Sequence, residues 1–201
     1  MRLIRRPKLR AGSRLAALLC AASLLAGLLG GCARERLQQQ EAYVFGTRVE
    51  VLTWDASEDT SRAAVAEVLR EFARLHRTYH AWEPSELTAL NSAIAAGQAS
   101  IPVSPELATM LTDAKAIAAT GDELFNPALG HLIALWGFHS DTFKPLRPDP
   151  AELAATISAH PQMADLNIAD NRVTSRNPAV QLDLGGYGKG YALDRAAAIL
   201  K

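Results

Sequence analysis

The sequence predicts a mixed α/β domain of the α+β type. β-Branched and aromatic residues concentrate near residues 43–54 and again around residues 166–184, marking strands. Between them, apolar residues recur three and four positions apart, the spacing of one helix face. Ser104-Pro105 and Asp149-Pro150 each place a capping side chain before proline, as at helix starts. With 201 residues, 49% hydrophobic and 21% charged, the chain suits a single domain with an ordinary core. That composition excludes a disordered tail, a collagen-like repeat and a multi-span membrane protein.

The N-terminal segment has a different character. Arg2, Arg5, Arg6, Lys8, Arg10 and Arg14 precede the first acid, Glu35. Residues 15–29 are apolar apart from Ser23. At about 1.5 Å per residue this stretch reaches roughly 22 Å, short of the roughly 30 Å hydrocarbon core. A charged start, a short apolar centre and small residues after it read as a secretory signal. The Arg5-Arg6 pair, followed by Pro7 and Lys8, fits a twin-arginine pattern poorly and counts as charge of the signal. Leu29-Gly30-Gly31-Cys32 resembles the lipobox of bacterial lipoproteins, which implies signal removal over 1–31 and acylation of Cys32. An ordinary signal with an incidental cysteine is the plainer alternative. Cys20 would leave with the signal, so the mature chain would carry no disulfide. The expectation is an exported protein, lipid-anchored to a cell-envelope membrane and facing the periplasm or extracytoplasmic side. Beyond the six leading cations, 15 basic residues face 21 acidic ones, a balance that argues against nucleic-acid binding.

Residues 32–42 read as a polar tether, and 43–201 as the folded domain. Residues 43–54 read as one strand with a bulge at Gly46. A helix is predicted over 59–79, with Val65, Val68, Leu69, Phe72 and Leu75 on its buried face. A short helix follows Ser85 through Asn91, with Gly97 closing that unit. The helix opened by Ser104 buries Leu107, Met110, Leu111, Ala114 and Ile117 and stops at Gly121. Residues 126–136 read as a short apolar helix, 137–149 as a loop, and 150–160 as a helix. A hairpin over 166–174 turns at Ala169-Asp170-Asn171, residues 180–184 form a strand, and a last helix runs from about Lys189.

Three places could carry chemistry. In the stretch from Leu182-Asp183-Leu184 through Gly185-Gly186-Tyr187-Gly188-Lys189-Gly190-Tyr191, a carboxylate ends an apolar strand. A glycine-rich turn then leads to a lysine in the first turn of a helix. Glycines admit close approach of a ligand, and free N–H groups at a helix start favour an anion. Neither the Walker A nor the Rossmann spacing is present, and a glycine cluster alone reads equally as a tight turn. Phe125-Asn126-Pro127-Ala128-Leu129-Gly130 with Leu135-Trp136-Gly137-Phe138 forms the second place, and Trp82-Glu83-Pro84-Ser85-Glu86-Leu87 with Asn91 the third. Alone, these are a helix entry with aromatic packing and a capped helix start. His76 and His80 stand i, i+4 and read as a surface pair. The five histidines give no zinc spacing.

In order along the chain, these segments resemble the bacterial flavin transferases of the ApbE family, the FAD:protein FMN transferases. Phe45-Gly46-Thr47 matches that family's usual Met-Gly-Thr, and Trp82 with Ser85-Glu86-Leu87 its aromatic-then-Ser-Glu-Leu segment. The other matches are Phe125 to Gly130, Leu135 to Phe138, and Asp183 through Asp194. The resemblance implies magnesium-dependent transfer of FMN from FAD to a Thr or Ser hydroxyl of an exported acceptor protein, a subunit of a redox complex, with release of AMP. It assigns Asp183 and Lys189 to FAD binding and catalysis, Lys189 near the phosphates. Gly186 would offer its carbonyl to Mg2+. Phe45 and Trp82 would bound the flavin, and Asn126, Pro127 and Ala128 would lie along the ligand. The chain departs from the family at Phe45, at Trp82 (which aligns with a tyrosine after a one-residue deletion), and at Asn126 and Ala128, where Asp and Thr are common. The family also continues past the position of Lys201 into a stretch that supplies carboxylate and Thr ligands for magnesium. The domain therefore reads as truncated on its C-terminal side, so that the chain as given should be inactive or poorly folded and an extended one active. The alternatives are a non-catalytic FAD-binding envelope lipoprotein and a structural lipoprotein whose motif matches are accidental.

Overall fold

A computed structural model describes residues 37–54, 57–142 and 144–201. The signal, Cys32 and residues 32–36 of the tether lie outside the described residues. Two units divide the chain at Leu37, and every described element belongs to the second, Gln38–Lys201. It combines helices and strands as an α+β fold. None of the described helices is long and apolar enough to cross a membrane.

The domain opens with a hairpin instead of one bulged strand. β1 (Gln38–Val44) pairs antiparallel with β2 (Thr47–Thr53), Val44 opposite Thr47 and Gln38 opposite Thr53. Residues 38–42 are thus strand, not tether. Their Gln-rich composition hides an alternation of half-buried and exposed positions that the partner strand imposes. Phe45 and Gly46 form a two-residue turn with φ of 56° and 66°, the left-handed pair that matches the twist of a hairpin. An aromatic residue takes that conformation at a cost, and the Phe45 ring offsets it by packing on Phe72 at 5.9 Å and His76 at 5.8 Å.

α1 (Glu58–Thr78) is capped by the Ser57 hydroxyl, which accepts the Thr60 N–H, and carries Glu58 and Asp59 in its first turn. Val65, Val68, Phe72 and Leu75 are buried as the periodicity predicts, with Leu69 on the flank. α2 (Glu86–Ala95) begins in a Ser85/Thr88 capping box. α3 (Pro105–Thr120) begins at Ser104, whose hydroxyl accepts the Leu107 N–H and donates to Glu86. Its buried face continues from Ala114 to Ala118, leaving Ile117 48% exposed, because the four-residue step and not the three-residue one stays over the core. α4 is shorter than the sequence suggests (Gly130–Leu135), because Asn126 to Leu129 turn to meet residue 181. α5 (Pro150–Ala159) starts at Asp149, which accepts the N–H groups of Ala151 and Glu152, and ends with His160 in the left-handed region.

β3 (Ile101–Pro102), β4 (Leu166–Ala169) and β5 (Arg172–Ser175) form an antiparallel sheet in the order β3-β5-β4, closed by the turn at Asp170 and Asn171. Residues 180–184 do not form a strand and make a single parallel bridge, from Gln181 to Leu129. Their polar backbone is satisfied otherwise: the buried Asn91 amide accepts the Leu182 N–H at 2.7 Å and donates to its carbonyl at 2.9 Å. α6 (Gly185–Leu200) starts four residues earlier than predicted, so the glycines are its first turns and Lys189 stands in its second. One apolar cluster gathers α2, α3, the three-stranded sheet and residues 180–184. The other gathers the hairpin, α1, and Ala192 and Ala196 of α6. Tyr79 and Tyr191 pack against both.

Candidate active site

Between the hairpin turn, the end of α1, the loop after α4 and the start of α6 lies a cavity of about 500 Å³. Phe45 comes from the turn, Trp82 from the link between α1 and α2, and Asp183 and Lys189 from the glycine-rich stretch. Four residues chosen from the sequence therefore meet on one wall system, from segments far apart in the chain.

Asp183 is the best anchored. Its Oδ2 lies 2.8 Å from Nε2 of His139, and its Oδ1 accepts the Gly185 N–H at 2.7 Å. A β-carbon on Gly185 would stand 3.0 Å from that oxygen, so any side chain there would press on the carboxylate. Burial pushes the Asp183 carboxyl up, but the His139 bond, the Gly185 N–H and the charges of His139 and Lys189 outweigh it, and the carboxyl sits below its ordinary range. Lys189 is exposed one turn further along α6. The site thus pairs an ionised, fixed carboxylate with a free-reaching ammonium at the positive end of a helix, a setting for an anion beside a hydrogen-bonding ring or hydroxyl.

Phe45, His76, His80 and Trp82 line the cavity, and His139 meets both Trp82 and Asp183 without lining it. Phe45, His76, His80, Trp82 and His139 form a continuous row, each ring centroid within 5.8 Å of the next. The reading of His76 and His80 as a surface pair is corrected here: His80 is buried, and His76 lines the cavity. The helix ends at Thr78, so His80 turns inward instead of continuing the exposed face, and its Nδ1 accepts the N–H of Glu83 at 3.0 Å. Burial, then the neighbouring His80, lowers the pKa of His76. Sequence reading missed His139 altogether, because one histidine after Trp-Gly-Phe carries no spacing signal.

Asn126, Pro127 and Ala128 do not line the cavity. Asn126 donates to the Pro161 carbonyl and accepts the Ala128 N–H, while Pro127 and Ala128 are buried. They brace the bridge to Gln181: the Pro127 carbonyl accepts the Asp183 N–H at 2.9 Å. Their reach to the site is through Asp183, not by contact along the wall. Gly186 also stands off the wall, in the first turn of α6 with Phe125 against its α-carbon. Among the described residues no cluster of three or more His, Cys, Asp or Glu side chains could hold a metal ion. A lone Gly186 carbonyl does not fit a magnesium site by itself, since that ion prefers a near-octahedral set of oxygens.

Beside Tyr79 and Tyr191 of the cavity lining, Glu106 accepts hydrogen bonds from the two terminal guanidinium nitrogens of Arg74 at 2.8 Å, the Tyr79 hydroxyl at 2.7 Å and the Tyr191 hydroxyl at 3.0 Å. The Arg74 bond, then those of the two tyrosines, holds its pKa at about 2 against burial.

The ApbE family model matches residues 45–201, more than three-quarters of the chain. The chain belongs to the ApbE family. It is 46% identical over 158 residues to a protein of Rhodobacter capsulatus named FAD:protein FMN transferase, covering 79% of this chain and 30% of that one. A Treponema pallidum protein of the same name is 31% identical over 181 residues, covering 87% and 49%. The crystal structure of the ApbE protein of Thermotoga maritima superposes with a TM-score of 0.72 at 27% identity, over 82% of this chain and 52% of that one. The flavin transferase ApbE of Vibrio cholerae, at 21% identity and a TM-score of 0.68 over 83% and 54%, shares the fold. The chain thus spans half or less of the length of the curated ApbE relatives it matches.

Proposed function

We propose that this chain forms the FAD-binding part of an enzyme that transfers FMN from FAD to a Thr or Ser hydroxyl of an exported acceptor protein. The observation that carries the reading is the meeting of Phe45, Trp82, Asp183 and Lys189 on one cavity, in a chain whose relatives bear the name FAD:protein FMN transferase. In the reaction, the acceptor oxygen bonds to the phosphorus of the FMN half, the diphosphate bridge breaks, and AMP leaves as the hydroxyl loses its proton. Lys189 and the start of α6 would receive the anionic diphosphate, Asp183 would accept a hydrogen bond from the ligand, and the aromatic row would exclude water from a flat ring.

Magnesium dependence belongs to the proposal. When bound, magnesium would supply charge neutralisation for the diphosphate, and the Gly186 carbonyl is the oxygen that the family resemblance assigns to it. Export and lipid anchoring through Cys32 also belong to it, with a redox-complex subunit as acceptor. Loss of the membrane-bound fraction in a C32A variant would support the anchor, and retention would remove it.

Two measurements test the chemistry. Titration with FAD should quench flavin fluorescence saturably, and K189A should weaken that binding about tenfold. Mass spectrometry of a Thr-containing acceptor with FAD and magnesium should show the added mass of FMN. Saturable binding without that mass would favour a lipoprotein that holds FAD without catalysis, and no saturable binding would overturn the reading.

A further inference from the structure

His139 joins two walls of the cavity that come from distant parts of the chain. It lies in the loop after α4, just past Gly137, whose φ of 81° turns the backbone inward. Its side chain is 7% exposed and its Nε2 lies 2.8 Å from Oδ2 of Asp183, itself 10% exposed. Its ring stacks on the Trp82 indole with centroids 5.1 Å apart and planes 22° apart. One imidazole therefore holds an aromatic wall with its face and a carboxylate with its edge.

Both partners depend on that contact. The Trp82 indole is 41% exposed, and its other ring neighbour is His80, which meets it edge-on at 4.4 Å. Asp183 is bound through its second oxygen to Gly185, the first residue of α6, so its orientation sets where the glycine-rich turn and Lys189 begin. Removing the His139 N–H would leave a nearly buried carboxylate short of a donor, and that carboxylate would turn toward solvent or toward Lys189. Either movement carries a negative charge closer to the place where an anion should sit.

Resting on the FAD reading above, we propose that His139 is a positioning residue of the nucleotide site. It holds Trp82 and Asp183 in fixed register, so that the flat ring and the diphosphate of one ligand can be met together. The structure gives it no contact with the reacting atoms, and it acts through Asp183 and Trp82. Its effect should fall on ligand affinity more than on turnover.

The protein expressed from its own gene, with the variants H139F and H139Q, tests this by FAD titration. Phenylalanine keeps a flat ring beside Trp82 and removes the donor; glutamine keeps a donor for Asp183. H139F should raise the FAD Kd about tenfold or more, the scale of a lost hydrogen bond to a charged group. H139Q should stay within about threefold of the wild type. In a D183N background H139F should add less than about threefold, because the group it serves is already neutral. Where transfer is measured, the KM for FAD should rise in H139F while kcat changes little. A wild-type Kd in H139F, or its full loss repeated in the D183N background, would overturn the proposal. If H139F fails to fold, H139Q decides, and a tenfold loss there overturns it. A wild type that itself shows no saturable FAD binding overturns the FAD reading instead, so the two failures are distinct.

Discussion

Glu106 shows how much a single carboxylate can organise. It is reached by Arg74 from α1, by Tyr79 beyond the end of α1, and by Tyr191 from α6, while it stands in the first turn of α3. Arg74 is shared with Glu71, which also accepts from Arg195. Truncation by E106A would leave two hydroxyls without their acceptor and Arg74 with Glu71 alone, and should cost about 2 kcal/mol in urea denaturation, part of the network being open to solvent. E106Q keeps one acceptor oxygen and should recover part of that loss. At this scale the sequence was silent: Glu106 reads as a first-turn acid in a capped helix, and nothing local announces three partners from distant parts of the chain.

At the level of elements, the most exacting contact is the crossing of residues 127–130 with 180–183. Gly130 donates its N–H to the Gln181 carbonyl at 2.7 Å, and an added β-carbon would lie 2.7 Å from that same oxygen, which is backbone and cannot step aside. G130A should therefore destabilise the fold by about 3 kcal/mol, measured as a fall in the urea midpoint. Asn91 supports the same crossing from the other side. N91L keeps the volume but leaves the Leu182 N–H and carbonyl unpaired, and should cost about 2–3 kcal/mol while also weakening FAD binding through the neighbouring Asp183. Helix starts at Ser85, Ser104 and Asp149 were legible because those side chains act within one turn of themselves, whereas α4 and α6, which have no side-chain cap, begin four residues from where the sequence placed them. The first strand was not, since Gln38 to Glu41 become β only through pairing with β2. Residues 180–184 were read as a strand for their apolar run, whereas Asn91 supplies what a neighbouring strand would have given.

The whole molecule carries several carboxylates whose pKa values are depressed on folding. Glu106 lies at about 2, and Glu71, Asp165 and Asp183 are also lowered. A carboxylate lowered on folding adds stability above its unfolded value, and that stability is lost as pH falls through the folded one. The urea midpoint should drop between pH 4.5, where glutamate titrates when free, and pH 2, where Glu106 does, and E106Q should flatten that drop. His76, also lowered, should add a gentler loss that begins as pH falls through the ordinary histidine value and levels off below its lowered one. Four of the site residues named from sequence converge on the cavity, because motif order along the chain tracked position in the fold. Asn126, Pro127 and Ala128 were displaced from it because their side chains serve the crossing.

α6 links these scales. Its opening turns carry Lys189 to the cavity, Ala192 and Ala196 seat it in the second apolar cluster, and Arg195 fastens it to Glu71 at 3.0 Å. Lys189 and Arg195 are six residues apart, about 9 Å along a rigid rod. A displacement of this rod at the Arg195 clasp would therefore move the ammonium at the mouth of the cavity with it.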